Sequence, residues 1–139
     1  MKINNIEIEK DLVAIVERLI ERGATIKEDL DPNVINNWDV SKVTNMTGMF
    51  DDAESFNQPL DTWDVSKVLN MRRMFEDARS FNQPINNWDV SKVKDMRFMF
   101  YKATSFNQPL NSWNVSIVTN MCWMFGNCGL AELPEWYKE

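Results

Sequence analysis

A fixed step of 25 residues runs through the chain and constrains it more than any other feature. Trp38, Trp63, Trp88 and Trp113 keep that step, as do Val40, Val65, Val90 and Val115. Two methionine columns, beginning at Met46 and Met49, and the phenylalanines from Phe50 to Phe125 keep it as well. Phe56, Phe81 and Phe106 share it, and Asn-Gln-Pro follows each of them. A period in the range of roughly 20 to 50 residues marks a solenoid, because each unit buries its apolar face only by stacking on its neighbours. At 139 residues, 44% hydrophobic and 26% charged, the chain has the material for one folded domain.

Two shorter periods are mixed inside each unit. Leu60-x-x-Trp63-x-Val65 predicts a strand with Trp63 and Val65 on one face and Thr62, Asp64 and Ser66 on the other. Met71, Met74, Phe75 and Ala78 have helical spacing. Asn70, matched by Asn45, Asp95 and Asn120, is a strong N-cap residue, which predicts a helix of about two turns after it. Asn57, Asn82 and Asn107 are expected to bond backbone across a turn. The expected fold class is therefore an α/β repeat, with one strand and one short helix per unit. Residues 34–128 hold four units.

The repeats are flanked by two stretches that read as caps. In residues 1–33, Ile3, Ile6 and Ile8 suggest a short extended segment. Leu12, Ile15, Val16, Leu19 and Ile20 then mark one face of an amphipathic helix over about residues 9 to 22, with Gly23 as its stop. A solenoid needs such a terminal unit, because an open end exposes its core. At the other end, residues 129–139 read as a C-terminal cap. Trp136 comes 23 residues after Trp113 and so breaks register.

The run W-[DN]-V-S-x-V-x-[ND]-M-x-x-M-F-x-x-A-x-S-F-N-Q-P-[LI] resembles the BspA-type leucine-rich repeat family, in its 25-residue branch abundant in mycoplasma surface lipoproteins. The likeness covers roughly residues 34–128. It implies a leucine-rich-repeat-like solenoid, and it implies that relatives are often surface-attached adhesins or lipoproteins. The fourth copy departs from the pattern, since Phe125-Gly-Asn-Cys128 lacks the Phe-Asn-Gln-Pro ending. No lipobox is visible, so the surface location does not carry over with the likeness. The chain as written shows no signal peptide and nothing near a membrane span, which points to the cytoplasm. A trimmed piece of a secreted protein would read the same way and belong at the cell surface.

Composition narrows the function classes. The net charge of -6 argues against a general nucleic-acid binder, which needs clustered Lys and Arg. No histidine is present, which removes the commonest general base and metal ligand. No Gly-rich phosphate loop, Ser/His/Asp set or metal-ligand spacing emerges, so the reading is non-enzymatic, with no cofactor. Cys122 and Cys128 read as reduced thiols, with a bridge between them left open.

Stacking turns each column into a ladder. Asp39, Asp64 and Asp89, flanked by Ser41, Ser66 and Ser91, form one on the expected outer face of the strands. They read either as a cation or basic-peptide surface or, preferably, as acceptors shaping their own turns. A second column is variable where its surroundings repeat: Gly48, Arg73, Phe98 and Trp123, beside Thr47, Arg72, Arg97 and Cys122. With Tyr101 nearby, these aromatic and arginine residues have the composition of an interface hot spot. The opposing reading packs Phe98 and Trp123 against Trp136 or Tyr137. The nine methionines read as core.

The expected function is a non-catalytic protein-binding scaffold, monomeric or weakly self-associating, with a protein partner and no membrane insertion. The alternatives are a cation- or glycan-binding adhesin, and an interaction or inhibitor protein that acts as an oligomer.

Overall fold

The computed structural model describes residues 1–138. It opens with a two-stranded antiparallel hairpin, β1 (Lys2–Ile3) and β2 (Ile6–Glu7). Asn4 and Asn5 make its turn with φ of 54° and 64°, the left-handed pair that a two-residue hairpin requires. The expected helix is present but shorter: a 3-10 turn over Lys10–Leu12 leads into α1 (Val13–Glu21). Leu12, Ile15, Val16 and Leu19 are buried, whereas Ile20 is exposed, so the apolar stripe is narrower than the spacing suggested. Gly23 ends the helix at φ 91°, and the Ala24 amide returns to the Leu19 carbonyl, closing a Schellman-type cap.

The repeats differ from expectation. Beyond Asn37 the described residues hold neither a helix nor a strand longer than one bridged residue. The chain instead runs through consecutive turns, each closed by an i to i+3 hydrogen bond. Trp63 donates to Leu60, Val68 to Val65, Met74 to Met71, Ala78 to Phe75 and Phe81 to Ala78. Nearly every core position of the unit thus begins or ends a turn. That explains the recurrent two-residue gaps between apolar residues. An i, i+3 spacing suits a helix, but it also suits a string of turns whose ends face inward and whose middle residues face water.

The expected helix cap at Asn70 is an Asx turn. The Asn70 side chain accepts the Arg72 amide at 2.9 Å, and Asn45, Asp95 and Asn120 do the same for the residue two places on. The side-chain chemistry is that of an N-cap, but a turn follows it rather than a helix.

Successive units are joined by a backbone ladder. Asn45, Asn70, Asp95 and Asn120 form parallel bridges in series. The amides of Met71, Arg73, Phe75 and Asp77 donate to the carbonyls of Asp95, Arg97, Met99 and Tyr101 in the next unit. The units before and after repeat this pattern. Just before it the polarity reverses, with Leu69, Lys94 and Thr119 donating back to Thr44, Leu69 and Lys94.

Side chains stack along the same axis. Phe50, Phe75, Phe100 and Phe125 lie in a column with ring centroids 5.1, 5.4 and 5.7 Å apart. Trp63, Trp88, Trp113 and Trp136 form another at 6.4 to 6.5 Å. Each indole N–H reaches into the preceding unit; Trp88 donates to the Leu60 carbonyl at 3.0 Å. The Asn column also bonds between units rather than within one: Asn57 accepts the Asn82 amide, and Asn82 accepts that of Asn107. The result is a mostly irregular backbone around a large buried aromatic cluster, with one regular helix at its N-terminal side.

Trp136 was expected to break register, and in three dimensions it does not. It stacks on Trp113, and its indole donates to the Leu110 carbonyl at 2.9 Å, as each earlier Trp does to its own predecessor unit. The two missing residues of spacing are absorbed by the chain between Cys128 and Pro134, where the Phe-Asn-Gln-Pro ending is lost.

Candidate binding surface

The two candidate ladders behave differently. Asp39, Asp64 and Asp89 are exposed, and each accepts the amide of the serine two residues on at 2.9 to 3.0 Å. Ser91 also donates its hydroxyl to Asp89 at 2.6 Å. These serine hydrogen bonds, hydroxyl and then amide, hold all three carboxyls below their ordinary value. The carboxylates are turned onto their own loops, in keeping with the turn-shaping reading. Among the described residues no group of three or more His, Cys, Asp or Glu is placed to hold a metal ion.

The variable column has a backbone constraint that composition did not reveal. Gly48, Arg73, Phe98 and Trp123 all have positive φ, at 64°, 58°, 56° and 57°. Each is the third residue of its Met-x-x-Met turn, the place where a left-handed conformation is required. Glycine fits there at no steric cost, but a residue with a Cβ strains by about 1–2 kcal/mol. The scaffold therefore dictates the backbone of this column while leaving its side chains free to point outward.

Those side chains gather into one cluster. The Phe98 and Tyr101 rings meet edge to face at 5.5 Å, and Tyr101 and Trp123 do so at 6.2 Å. The Arg73 guanidinium lies 5.7 Å from the Phe98 centroid, and the Lys102 ammonium 5.3 Å from that of Tyr101. Trp123 is 59% exposed, the most exposed large apolar side chain described. The opposing expectation, that Phe98 and Trp123 pack on the C-terminal cap, is not what the ring contacts show. Trp136 and Tyr137 pack on Phe125 instead.

Gly126 makes the cluster possible. A Cβ there would come within 2.7 Å of the Tyr101 ring and 3.1 Å of the Trp123 ring, so a side chain would push the rings apart. Sequence reasoning passed over Gly126. The available signal was that it occupies the column of Asp51, Glu76 and Tyr101.

Arg97 stands apart from the aromatic group. Its guanidinium grips Asp95, with Nη2 to Oδ2 at 2.7 Å. Burial raises the Asp95 carboxyl, but the hydrogen bonds from Arg97 outweigh it and hold the group below its ordinary value. Arg73 approaches Glu76 at 3.3 Å. Burial raises the Glu76 carboxyl despite that arginine, with Asp51, Asp77 and Asp52 adding to the rise. Cys122 and Cys128 are both free, and burial pushes the Cys128 thiol up.

A recess of about 520 Å³ adjoins the cluster at the C-terminal end of the stack, lined in part by Met121, Cys122, Trp123, Tyr137 and Lys138. Met121 is half-buried here, whereas Met46, Met71 and Met96 in the same column are fully buried.

A family model covers residues 20–136, which takes in the end of α1, all the repeats and most of the C-terminal tail. The chain belongs to the DUF285 family, described as mycoplasma proteins of unknown function. Neither the curated proteins nor the solved structures compared with it contain a match. The DUF285 chain contains, among its described residues, no helix long and apolar enough to cross a membrane.

Proposed function

We propose that the DUF285 chain is a non-catalytic protein-binding scaffold whose contact surface is the cluster of Phe98, Tyr101 and Trp123 with Arg73 beside it. The observation that carries this reading is the conformation of the variable column. Two large aromatic residues occupy positions where glycine would be more stable, and Trp123 is mostly exposed. Strain retained at an exposed site is a reason to look for a use there. Tyr, Trp and Arg are also the residues that most often dominate the energy of protein interfaces.

We also propose that the units form a solenoid of the BspA-like leucine-rich-repeat kind, capped by residues 1–33 and 129–139. The 25-residue period, the parallel bridges and the stacked Trp and Phe columns support it. In this reading the Asp39, Asp64 and Asp89 ladder shapes turns and does not form the contact surface. A stacked scaffold binds with little loss of conformational freedom, because its surface is already ordered.

The test is affinity capture with the wild-type chain and a Phe98→Gly/Trp123→Gly variant. Glycine keeps the left-handed backbone, so folding should be preserved, as circular dichroism will show. A partner retained by the wild type and lost with the variant is the expected result. Equal capture by both would remove the cluster from consideration.

A further inference from the structure

The ladder has a direction, and its last rung is unfilled among the described residues. In the first three units the amides at Met46, Met71 and Met96, and at Gly48, Arg73 and Phe98, donate to the following unit. The corresponding amides of the fourth unit, Met121 and Trp123, have no acceptor among the described residues. Among the described residues no amide donates to the Thr119 carbonyl, whereas the Thr44, Leu69 and Lys94 carbonyls each receive one. The C-terminal tail supplies replacements for the aromatic columns only, through Trp136 on Trp113 and Tyr137 on Phe125. It leaves the ladder half of the end open as the recess beside Trp123.

We propose that this open rung binds an extended peptide segment of a partner protein, added as one more parallel strand. The segment accepts from the Met121 and Trp123 amides with carbonyls two residues apart. It donates one amide to Thr119, just upstream. This is strand addition at an exposed edge, in which backbone bonds give affinity and neighbouring side-chain contacts give selectivity. It deepens the scaffold reading and rests on it, since Trp123 contributes its ring to the cluster and its amide to the edge.

Hydrogen-bond polarity disfavours a second copy of the chain as the occupant. A head-to-tail copy would have to offer the carbonyls of Asn45, Thr47 and Met49. Those are already met by Arg22, just after α1, on the first two and by Arg18 of α1 on the third, at 2.9, 2.9 and 3.0 Å. A tail-to-tail copy would set donors against donors. The edge is moreover positive in character, with unpaired amides and Lys138 as the charged residue of the lining. That suits a segment rich in free carbonyls.

The experiment is nuclear magnetic resonance on the ¹⁵N-labelled full chain, titrated with a synthetic peptide of the sequence of residues 69–79. Within the fold, the carbonyls of that stretch already accept from Met46 and Gly48, so it carries the required register. Saturable shifts at the Met121 and Trp123 amides are expected, with about tenfold slower exchange of both. A scrambled peptide should do neither. The Trp123→Gly variant loses the ring but keeps both amides, so its response should weaken yet persist at the Met121 and residue-123 amides. No saturable change at millimolar peptide, or an equal response to the scrambled peptide, overturns the proposal. Loss of the response in Trp123→Gly would mean that only the ring docks, which leaves the aromatic surface standing and ends the ladder reading. Shifts at the same amides on concentrating the chain without peptide would place a second copy in the recess and overturn it equally.

Discussion

The two ends of the stack solve one problem unequally. A parallel ladder leaves carbonyls exposed at one end and amides at the other. At the N-terminal end, α1 lies across the first unit, and Arg18 and Arg22 donate to the three exposed carbonyls. At the C-terminal end, the tail continues the Trp column and covers Phe125, but its described residues give no acceptor to Met121 or Trp123. A cation at the end of a long flexible side chain reaches carbonyls easily, and a helix can deliver two of them from one face. Covering a row of amides needs a row of acceptors, from carboxylate or amide side chains or from another extended segment. The two ends therefore differ in which backbone groups they leave to be covered, and exposed Trp123 stands at the amide end, beside half-buried Phe98 and Tyr101.

The largest expected effect contrasts the middle of the stack with its edge. Trp88 lies between Trp63 and Trp113 and is nearly inaccessible, so Trp88→Ala should destabilise by roughly 3–5 kcal/mol. Trp136 stacks on one side only, and Trp136→Ala should cost roughly half as much. Chemical denaturation of both variants compares them; equal losses would show that the tail is as integral as the central units.

Next in size is the helix cap. Arg22→Ala removes two hydrogen bonds from a charged donor to the Asn45 and Thr47 carbonyls. A loss of about 2 kcal/mol is expected after allowing for partial exposure. An unchanged denaturation midpoint would mean that water serves those carbonyls as well as the arginine does, and the two ends would then be alike.

Smaller, and opposite in sign, is Trp123→Gly. Releasing a left-handed residue should raise the stability, and with it the thermal midpoint, by about 1 kcal/mol or less of unfolding free energy once the greater freedom of glycine in the unfolded chain is counted. A marked fall would show that the ring is structural at the open end.

The smallest effect concerns acid. Asp39, Asp64 and Asp89 have carboxyls lowered from 3.8 by their serines. A carboxyl lowered by folding contributes stability that is fully present above its unfolded value. That contribution is lost as pH falls through 3.8 toward the folded value. Replacing Asp64 with Asn keeps the acceptor, as Asn114 does naturally, and removes the titration. The variant should lose slightly less stability than wild type between about pH 5 and pH 2. Parallel curves would mean that the Asp64 turn contributes nothing.

The period and the core columns were legible in the sequence because stacking demands the same side chain at the same step. The local backbone was not. Met71-x-x-Met74-Phe75-x-x-Ala78 fits a helix and a string of turns equally well, and Asn70 serves either as a cap or as an Asx turn. Gly48 was the one residue that betrayed the turn, since its column needs a positive φ, and Arg73, Phe98 and Trp123 concealed the requirement by tolerating it. The aromatic column was found as variation within a repeat. Its edge-to-face geometry and the space made by Gly126 depend on distances that a one-dimensional pattern does not hold. Trp136 was misjudged for the same reason: its step is short by two, but the chain reaches the same column by another path.

The most direct measurement of the difference between the ends is residue-resolved amide hydrogen exchange on the free chain. Met96, Phe98 and Phe100 donate to the fourth unit and should exchange slowly. Met121 and Trp123 occupy the same columns one unit later and should exchange at least about a hundredfold faster, close to the rate of an unstructured chain. Comparable protection at both rungs would contradict the open end, and with it the strand-addition site.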